Sequence, residues 1–195
     1  IYSPKVKGFI GRNGRMIRNE NLGVYFKGLL DDTHLVLDGE LYSDTLSFNE
    51  IASVLNSEDK PLDGIYYCVY DALLVNEWEA QICSSAYQSR LNLVQQAVKH
   101  YNLPNVRAIT SKEVNSEEEV QEFYKEALGQ GYEGLMLKSP HCVYQWKRVT
   151  VKSQTMMKLK PTDDYDGKIV GYEEGEGKLE GSLGVLIAEV EGIKN

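Results

Sequence analysis

The chain has 195 residues, of which 42% are hydrophobic and 26% are charged, a composition typical of a globular protein with one domain and part of a second. Its net charge of −8 argues against broad, sequence-independent nucleic-acid binding, although basic residues in 12–18 and 147–160 allow a cationic cleft on an acidic body. No stretch is apolar enough to span a membrane, no signal peptide opens the chain, and the three cysteines lack metal-ligand spacing, so we expect a cytoplasmic protein without membrane, zinc or disulfides.

The first third of the chain is predicted to alternate short strands with short helices. Asn13-Gly14 is a strong hairpin-turn signal, and this turn would bring Arg12 and Arg15 together. Asp38-Gly39-Glu40 reads as two carboxylates around a glycine turn at the end of a strand. The predicted strands cover 1–5 and 34–41, and the predicted helices cover 21–30 and 48–55.

The middle of the chain predicts one buried strand and two helices. Residues 65–74 are aromatic, β-branched and apolar, which predicts the most buried strand; Asp71, which interrupts the run, is either a site residue or a strand-end hydrogen-bond partner. An apolar stripe predicts a helix over 84–101. Ser116 and Glu119 form a capping box that would open a second helix, and Gly129 or Gly131 would end it.

A short predicted strand after this helix has a charged residue at each end. Glu133-Gly134-Leu135-Met136-Leu137-Lys138 encloses three apolar residues between a carboxylate and an ammonium. Solvated strand ends would look the same, but Met157-Lys158-Leu159-Lys160 repeats the design, with two lysines on one face of a strand. Together with Asp38 and Glu40, these residues indicate a polyphosphate and metal site.

The sequence changes character at Asp166. A turn rich in glycine and glutamate separates two apolar stretches, which predicts an antiparallel pair over 167–172 and 183–190. A two-stranded ribbon is marginally stable alone, so we expect the beginning of a second, β-rich domain. Residues 142–160 are predicted to form one hairpin with Arg148 near its middle. The expected domains are 1–162 and 163–195.

A site that transfers a nucleotidyl group needs a nucleophile, cations for the triphosphate, carboxylates for Mg²⁺ and the ribose, and an aromatic slot for the base. The chain offers candidates for all four, and it lacks both the glycine loops of P-loop enzymes and kinases and the G-x-S-x-G elbow of hydrolases. Each candidate alone also fits a structural role, such as a solvated face, turn chemistry or core packing. The candidates are Lys5 or Lys7 as nucleophile, Lys138, Lys158, Lys160, Arg12 and Arg148 as cations, Asp38, Glu40 and Glu133 as carboxylates, and Tyr67 or Tyr70 as base platform.

Six motifs, in order along nearly the whole chain, resemble the ATP-dependent DNA ligases, in particular the small phage and viral type of this covalent nucleotidyltransferase superfamily. The resemblance implies an α+β fold in which an adenylation domain of antiparallel sheets with flanking helices is followed by the start of an OB-fold domain. The helix that leads into Glu133 and the segment Tyr144-Gln145-Trp146-Lys147-Arg148 are similar too. The motifs are Ser3-Pro4-Lys5-Val6-Lys7-Gly8, Gly11-Arg12-Asn13-Gly14-Arg15, Asp38-Gly39-Glu40, Val69-Tyr70-Asp71, Glu133-Gly134-Leu135-Met136-Leu137-Lys138 and Lys158-Leu159-Lys160.

The resemblance implies a role for each matched residue. Lys5 would attack the α-phosphate of ATP as a free amine and hold AMP as a phosphoramidate, while Tyr70 would stack on the adenine. Glu40 would contact the ribose and, with Glu133, carry Mg²⁺. Lys158 and Lys160 would hold the α-phosphate and stabilise the pentavalent charge. Arg12 and Arg148 would face phosphates of the nucleotide or of the nicked DNA. Ser3, Asp38 and Lys138 would complete the nucleotide site.

Two departures from the family pattern are expected to matter. Lys7 stands where the family has aspartate, and Gly8 lies too close to Arg12 for the further hairpin that the family places there. Either the protein has lost that hairpin or residues are missing between Val6 and Lys7; we expect the second, with Lys5 as the nucleophile. The family's last motif, which lies in the OB-fold domain, is absent.

The implied function is the sealing of nicks in double-stranded DNA, which serves DNA repair, replication and recombination, by a monomer that uses ATP and Mg²⁺. A phage or viral source would place it in the host cytoplasm. An RNA ligase and an mRNA-capping guanylyltransferase are close alternatives. An alternative of another class is a catalytically inactive module that binds nicks or nucleotides.

Overall fold

The computed structural model describes residues 1–11, 13–30, 34–147, 149, 155–162 and 165–190. Two predicted site residues, Arg12 and Arg148, lie outside the described residues. The helices are α1 (Asn21–Tyr25), α2 (Lys27–Leu30), α3 (Phe48–Asn56), α4 (Val75–Ala80), α5 (Tyr87–Tyr101) and α6 (Glu117–Gly129). The strands are β1 (Tyr2–Ser3), β2 (Gly8–Phe9), β3 (Leu35–Ser43), β4 (Ile65–Leu74), β5 (Val106–Ala108), β6 (Leu135–Lys138), β7 (Met156–Leu159), β8 (Gly167–Glu174) and β9 (Leu183–Val190).

A five-stranded sheet with the order β2-β1-β3-β4-β5 forms the centre of the fold. Its strands pair antiparallel, except that β4 and β5 are parallel because α4 and α5 connect them. Most residues of β4 alternate between buried and partly exposed positions, since successive residues of a strand point to opposite faces. The prediction of β4 as a buried strand is confirmed.

An aromatic cluster fills the core on one face of this sheet. Tyr2, Phe9, Phe26 and Tyr67 are all buried, and their ring centroids lie 4.9 to 6.2 Å apart. The hydroxyl of Tyr67 donates a hydrogen bond to the carbonyl oxygen of Leu37 at 2.6 Å. Tyr67 is therefore a core residue, and its burial makes it a weaker candidate for a base platform than Tyr70.

The segment Asp38-Gly39-Glu40 lies inside β3, opposite a β-bulge in β4, and the prediction of a turn there is wrong. Asp38 pairs with Asp71 and Gly39 with Val69, so the register skips Tyr70 on β4. A side chain at Gly39 would put its Cβ 2.5 Å from the carbonyl oxygen of Cys68, which explains the glycine. A bulge changes the direction of the side chains beside it, and here it separates Tyr70 from the regular pairing of the sheet.

Residues 2–9 form a tight hairpin. β1 and β2 pair through Tyr2 with Phe9 and Ser3 with Gly8, and the amide of Lys7 donates to the carbonyl oxygen of Pro4 at 3.2 Å. Lys7 closes the turn with a φ of 48°. The expectation of residues missing between Val6 and Lys7 stays a prediction. The predicted turn at Asn13-Gly14 is confirmed, with Gly14 at a φ of 76°.

The helices follow the predicted ones with local differences. The single helix predicted over 21–30 is interrupted at Phe26, whose fully buried side chain packs into the aromatic cluster. α5 begins at Tyr87, three residues later than predicted. Ser116 caps α6 by accepting from the amide of Glu119 at 3.2 Å, as predicted.

A second sheet is formed by β6 and β7. Leu135 pairs with Leu159 and Lys138 with Met156. Residues 142–147 contain no strand, so the hairpin predicted over 142–160 is wrong: β7 returns to pair with β6 instead. Long-range pairing of apolar residues overrides the local pattern here.

β8 and β9 form a third sheet, as predicted. Most of their residues are exposed, including Tyr172 and Val185. None of the helices in the described ranges is both long and apolar enough to cross a lipid bilayer.

Candidate functional site

An open cleft of about 2300 Å³ lies between the five-stranded sheet, α5, α6 and the β6–β7 sheet. This volume exceeds the roughly 300–1,000 Å³ of a typical small-molecule site, so it has room for a nucleotide and part of a larger ligand. Six of the candidate residues named from the sequence line it: Glu40, Tyr67, Tyr70, Glu133, Lys138 and Lys158.

Tyr70 is held at the cleft by a buried polar group. The carboxylate of Asp38 accepts a hydrogen bond from the Tyr144 hydroxyl at 2.7 Å and also interacts with the Tyr70 hydroxyl. Burial raises the pKa of Asp38, and these hydroxyl contacts act in the opposite direction. Burial, with a further contribution from Asp38, raises the pKa of Tyr70, so its phenol stays neutral. Asp38 does not line the cleft, and its observed contacts orient Tyr70 and Tyr144.

Lys138 projects from the end of β6 towards a buried ion pair. Its ammonium lies 3.5 Å from Oδ2 of Asp71, and the side chain is 17% exposed. The ammonium also lies 4.2 Å from the ring centroid of Tyr87 and 5.4 Å from that of Tyr70. Burial and the neighbouring Asp71 raise the pKa of Tyr87 to about 12, so both rings are neutral at physiological pH. Lys138 is thus a positioned cation on the wall of the cleft.

Glu133 and Lys158 form an ion pair across the open end of the β6–β7 sheet. Lys158 Nζ lies 2.9 Å from Glu133 Oε1, and the side chains are 48% and 70% exposed. The Lys158 hydrogen bond lowers the pKa of Glu133, and Lys160 adds a smaller effect in the same direction. Because both partners are solvated, the pair contributes little to stability. An anionic ligand could therefore replace Glu133 as the partner of Lys158 at small cost.

The backbone at position 134, directly after Glu133, requires a glycine. Its φ of 152° is unfavourable for other residues, and an added Cβ would lie 2.1 Å from the carbonyl oxygen of Leu159. The glycine allows the backbone of the two strands to approach where Glu133 meets Lys158. The Glu-Gly pair is thus a local requirement of the cleft wall.

Other predicted site residues lie elsewhere. Lys5 stands on the turn between β1 and β2, where its ammonium is 2.6 Å from Oε1 of Glu79 and its side chain is 66% exposed. Lys5, the buried Ser3 and the exposed Lys160 do not line the cleft. The structure therefore brings candidate carboxylates, cations and the base platform to one cleft, and Lys5, the candidate nucleophile, does not line that cleft.

Two arginines in or near the cleft, Arg107 and Arg90, were not predicted as site residues. Arg107 lines the cleft, with its guanidinium 4.4 Å from the Tyr66 ring and 3.2 Å from Asp44. Arg90 is buried in α5 beside Asp71. The sequence carried one signal for Arg90: it shares the inward stripe of α5 with Tyr87 and Leu91, where a charge requires a partner.

Four glutamates line the cleft, Glu40, Glu113, Glu126 and Glu133, but the described residues form no metal cage. Within the described ranges, no three or more His, Cys, Asp or Glu side chains are grouped so as to hold a metal ion. Glu40 and Glu133 both line the cleft. Mg²⁺ commonly binds through one or two carboxylates together with substrate phosphates, so the type of ligand that these residues offer suits Mg²⁺ that arrives with a nucleotide.

The chain is similar to several known proteins. The family model described as ATP dependent DNA ligase domain matches residues 8–160. A DNA ligase of Thermococcus onnurineus is 34% identical over 120 residues, which are 61% of this chain and 20% of that protein. A DNA ligase of African swine fever virus is 24% identical over 176 residues, which are 90% of this chain and 40% of that protein. The chain therefore spans between a fifth and two fifths of these relatives.

Solved structures share the fold. A structure from a structure–function study of Lig E DNA ligases that bind DNA with a minimal scaffold superposes with a TM-score of 0.75 at 22% identity, covering 93% of this chain and 66% of that one. The α+β adenylation-type fold expected from the sequence is thereby confirmed.

Proposed function

Because the chain belongs to the ATP-dependent DNA ligase domain family, we propose that it is the nucleotide-transferring part of an ATP-dependent DNA ligase that seals nicks in double-stranded DNA. In the proposed reaction, a lysine amine attacks the α-phosphorus of ATP, the bond to pyrophosphate breaks, and lysyl-AMP forms. AMP then passes to the 5′-phosphate of the nick, and the 3′-hydroxyl displaces it to join the strands. DNA repair, replication and recombination are the processes that such a reaction serves.

The observation that carries the proposal is the content of the cleft. It places an aromatic ring, Tyr70, beside the positioned ammonium of Lys138 and within the same cavity as Lys158 and the carboxylates of Glu40 and Glu133. The ring is suited to stack on adenine, and the ammonium groups are suited to neutralise the phosphates. Glu40 is proposed to contact the ribose, and Lys160 to add positive charge beside Lys158.

Glu40 and Glu133 are proposed to hold Mg²⁺ together with the nucleotide. A bound Mg²⁺ would neutralise charge on the phosphates. Glu133 would exchange its contact with Lys158 for this role, which leaves the Lys158 ammonium available to a phosphate oxygen.

That Lys5 is the nucleophile stays a prediction. Attack from Lys5 requires its ion pair with Glu79 to break, and its side chain does not line the cleft. This same observation favours a second candidate function, a module that binds nucleotides or nicked DNA without forming a covalent adduct.

Domain organisation and assembly are further parts of the proposal. Residues 1–162 are proposed as the adenylation domain, and 163–195 as the beginning of an OB-fold domain. The separate pairing of β8 with β9 and their exposed apolar side chains support this boundary. Ser3, Arg12, Asp38 and Arg148 remain proposed nucleotide-site residues, and the protein is proposed to act as a cytoplasmic monomer.

The test combines covalent labelling with binding. The protein is incubated with α-labelled ATP and Mg²⁺, denatured and examined for retained label, and ATP affinity is measured in parallel by calorimetry. Lys5→Ala is compared with Lys7→Ala, its neighbour on the same exposed turn. Label lost only in Lys5→Ala supports the ligase mechanism with Lys5 as nucleophile. ATP binding without label in any variant supports the binding module, and no ATP binding contradicts both.

A further inference from the structure

Polar contacts connect the two sheets that form the walls of the cleft. Lys138, at the end of β6, reaches Asp71 of β4. The segment that follows β6 is held to α5, because the amide of Gln88 donates to the carbonyl oxygen of Pro140 at 3.0 Å and Arg90 Nη1 donates to that of Cys142 at 3.1 Å. Arg90 takes part in this connection from both sides, through Asp71 and through Cys142.

The guanidinium of Arg90 has a fixed orientation. Its Nε lies 2.7 Å from Oδ1 of Asp71 and its Nη2 lies 3.1 Å from Oδ2, a bidentate pair in which both side chains are 3% exposed. Nη1 donates to two backbone carbonyls, those of Ser85 and Cys142. The Cζ atom of Arg90 lies 5.7 Å from the ring centroid of Tyr87 and 5.7 Å from that of Tyr144. A lysine has no planar fork and could not make these contacts together.

This arrangement fixes the position of the Lys138 ammonium. Arg90 engages both oxygens of Asp71, which sets the orientation of the carboxylate, and Oδ2 then faces Lys138. The group contains two cations and one anion, so a net positive charge remains. Lys138 is the more exposed cation and lines the cleft, so that charge is presented to the ligand.

We propose that Arg90, through Asp71, is a positioning residue that holds the Lys138 ammonium against the rings of Tyr70 and Tyr87 for contact with a nucleotide phosphate. The role of the phosphate rests on the proposed function, whereas the position of Lys138 can be tested without it. Arg90 itself is buried behind Asp71 and does not need to touch the ligand.

The first experiment observes Lys138 directly. In protein with isotope-labelled lysine, the Hε–Cε NMR signal of Lys138 is assigned with Lys138→Met. The face of the Tyr87 ring should shift this signal upfield from the signals of exposed lysines. Arg90→Lys keeps the charge but not the fork, so the signal should move towards that of exposed lysines. Asn19→Ala is the matched control, because Asn19 is also 3% exposed and hydrogen-bonded but has no contact with this group.

A second variant separates position from stability. Arg90→Leu alone would leave the buried Asp71 without its bidentate partner and with only the longer contact to Lys138. The double variant Arg90→Leu/Asp71→Leu is used instead, because it removes both buried charges. The double variant should remain folded by circular dichroism while the Lys138 signal loses its upfield shift.

ATP affinity completes the test. Loss of the charge-assisted contact should weaken ATP binding about tenfold or more in Arg90→Lys and in the double variant, but not in Asn19→Ala. An unchanged Lys138 signal and unchanged ATP affinity in Arg90→Lys would overturn the inference and leave Arg90 a structural residue. If the wild-type protein binds no ATP but the Lys138 signal responds to Arg90→Lys, the positioning role stands and the proposed function fails.

Discussion

Gly134 is the position where one methyl group should damage the cleft most directly. In Gly134→Ala, the new Cβ would lie 2.1 Å from the carbonyl oxygen of Leu159 and 3.1 Å from Cα of Lys160, and alanine would have to adopt a φ of 152°. The unfavourable φ alone costs about 1–3 kcal/mol. Backbone atoms of β7 must also move, because no flexible side chain can give way, so the total should reach about 2–4 kcal/mol.

The assay is urea denaturation followed by circular dichroism, together with calorimetric measurement of ATP affinity. Gly129→Ala is the matched control, because Gly129 ends α6 and an added Cβ would meet no atom within 4 Å. The control should change the free energy of unfolding by less than about 1 kcal/mol. Gly134→Ala should also weaken ATP binding, since Glu133 and Lys158 lie next to the displaced backbone. Equal stability and equal affinity in the two variants would refute this reasoning.

Three further predictions concern side chains in or next to the cleft. Lys158→Met should weaken ATP binding about tenfold or more by calorimetry while the free energy of unfolding changes by less than about 1 kcal/mol, because its pair with Glu133 is exposed; a large loss of stability with unchanged affinity would contradict it. Tyr70→Ala should cost about 1–3 kcal/mol of ATP binding through lost stacking, while Tyr70→Phe, which keeps the ring, should cost less, and equal losses would argue against stacking. Asp38→Asn keeps an acceptor for Tyr144 and removes a carboxylate whose pKa burial raises. The raised folded-state pKa lowers the free energy of unfolding of the wild-type protein once the pH exceeds the unfolded-state pKa of about 3.9. This loss of stability grows until the pH passes the folded-state pKa. The stability of Asp38→Asn relative to wild type in urea denaturation should therefore increase between pH 4 and pH 7, and a constant difference would refute the linkage.

The elements predicted correctly from the sequence are those whose cause is local. β4 follows from a continuous run of apolar and β-branched residues, the turn at Asn13-Gly14 follows from the backbone freedom of glycine, and α6 begins where the Ser116 side chain can cap it. Each of these causes lies within a few residues of the element.

The elements predicted wrongly depend on partners distant in the chain. Gly39 resembles a turn glycine, but it lies inside β3 opposite the bulge of β4, where the nearby carbonyl oxygen of Cys68 leaves no room for a side chain. β7 was assigned to a hairpin within 142–160, although its partner is β6, and no local feature distinguishes the two pairings. The helix predicted over 21–30 breaks at Phe26 because the aromatic cluster binds that ring more favourably than a regular helix allows.

The same distinction applies to the cleft. Glu133, Lys138 and Lys158 were predicted from charges at strand ends, and the structure brings them to one cleft. Arg90 was missed because its meaning depends on Asp71, 19 residues away on another element.

The most direct test of the central claim is an ATP titration of the lysine-labelled protein in the presence of Mg²⁺, followed by NMR. If the cleft is the nucleotide site, the signals of Lys138 and Lys158 should shift together and saturate at one ATP affinity, and Tyr70→Ala should weaken both shifts. Saturable ATP binding that leaves both signals unchanged would show that the nucleotide binds elsewhere and would contradict the account.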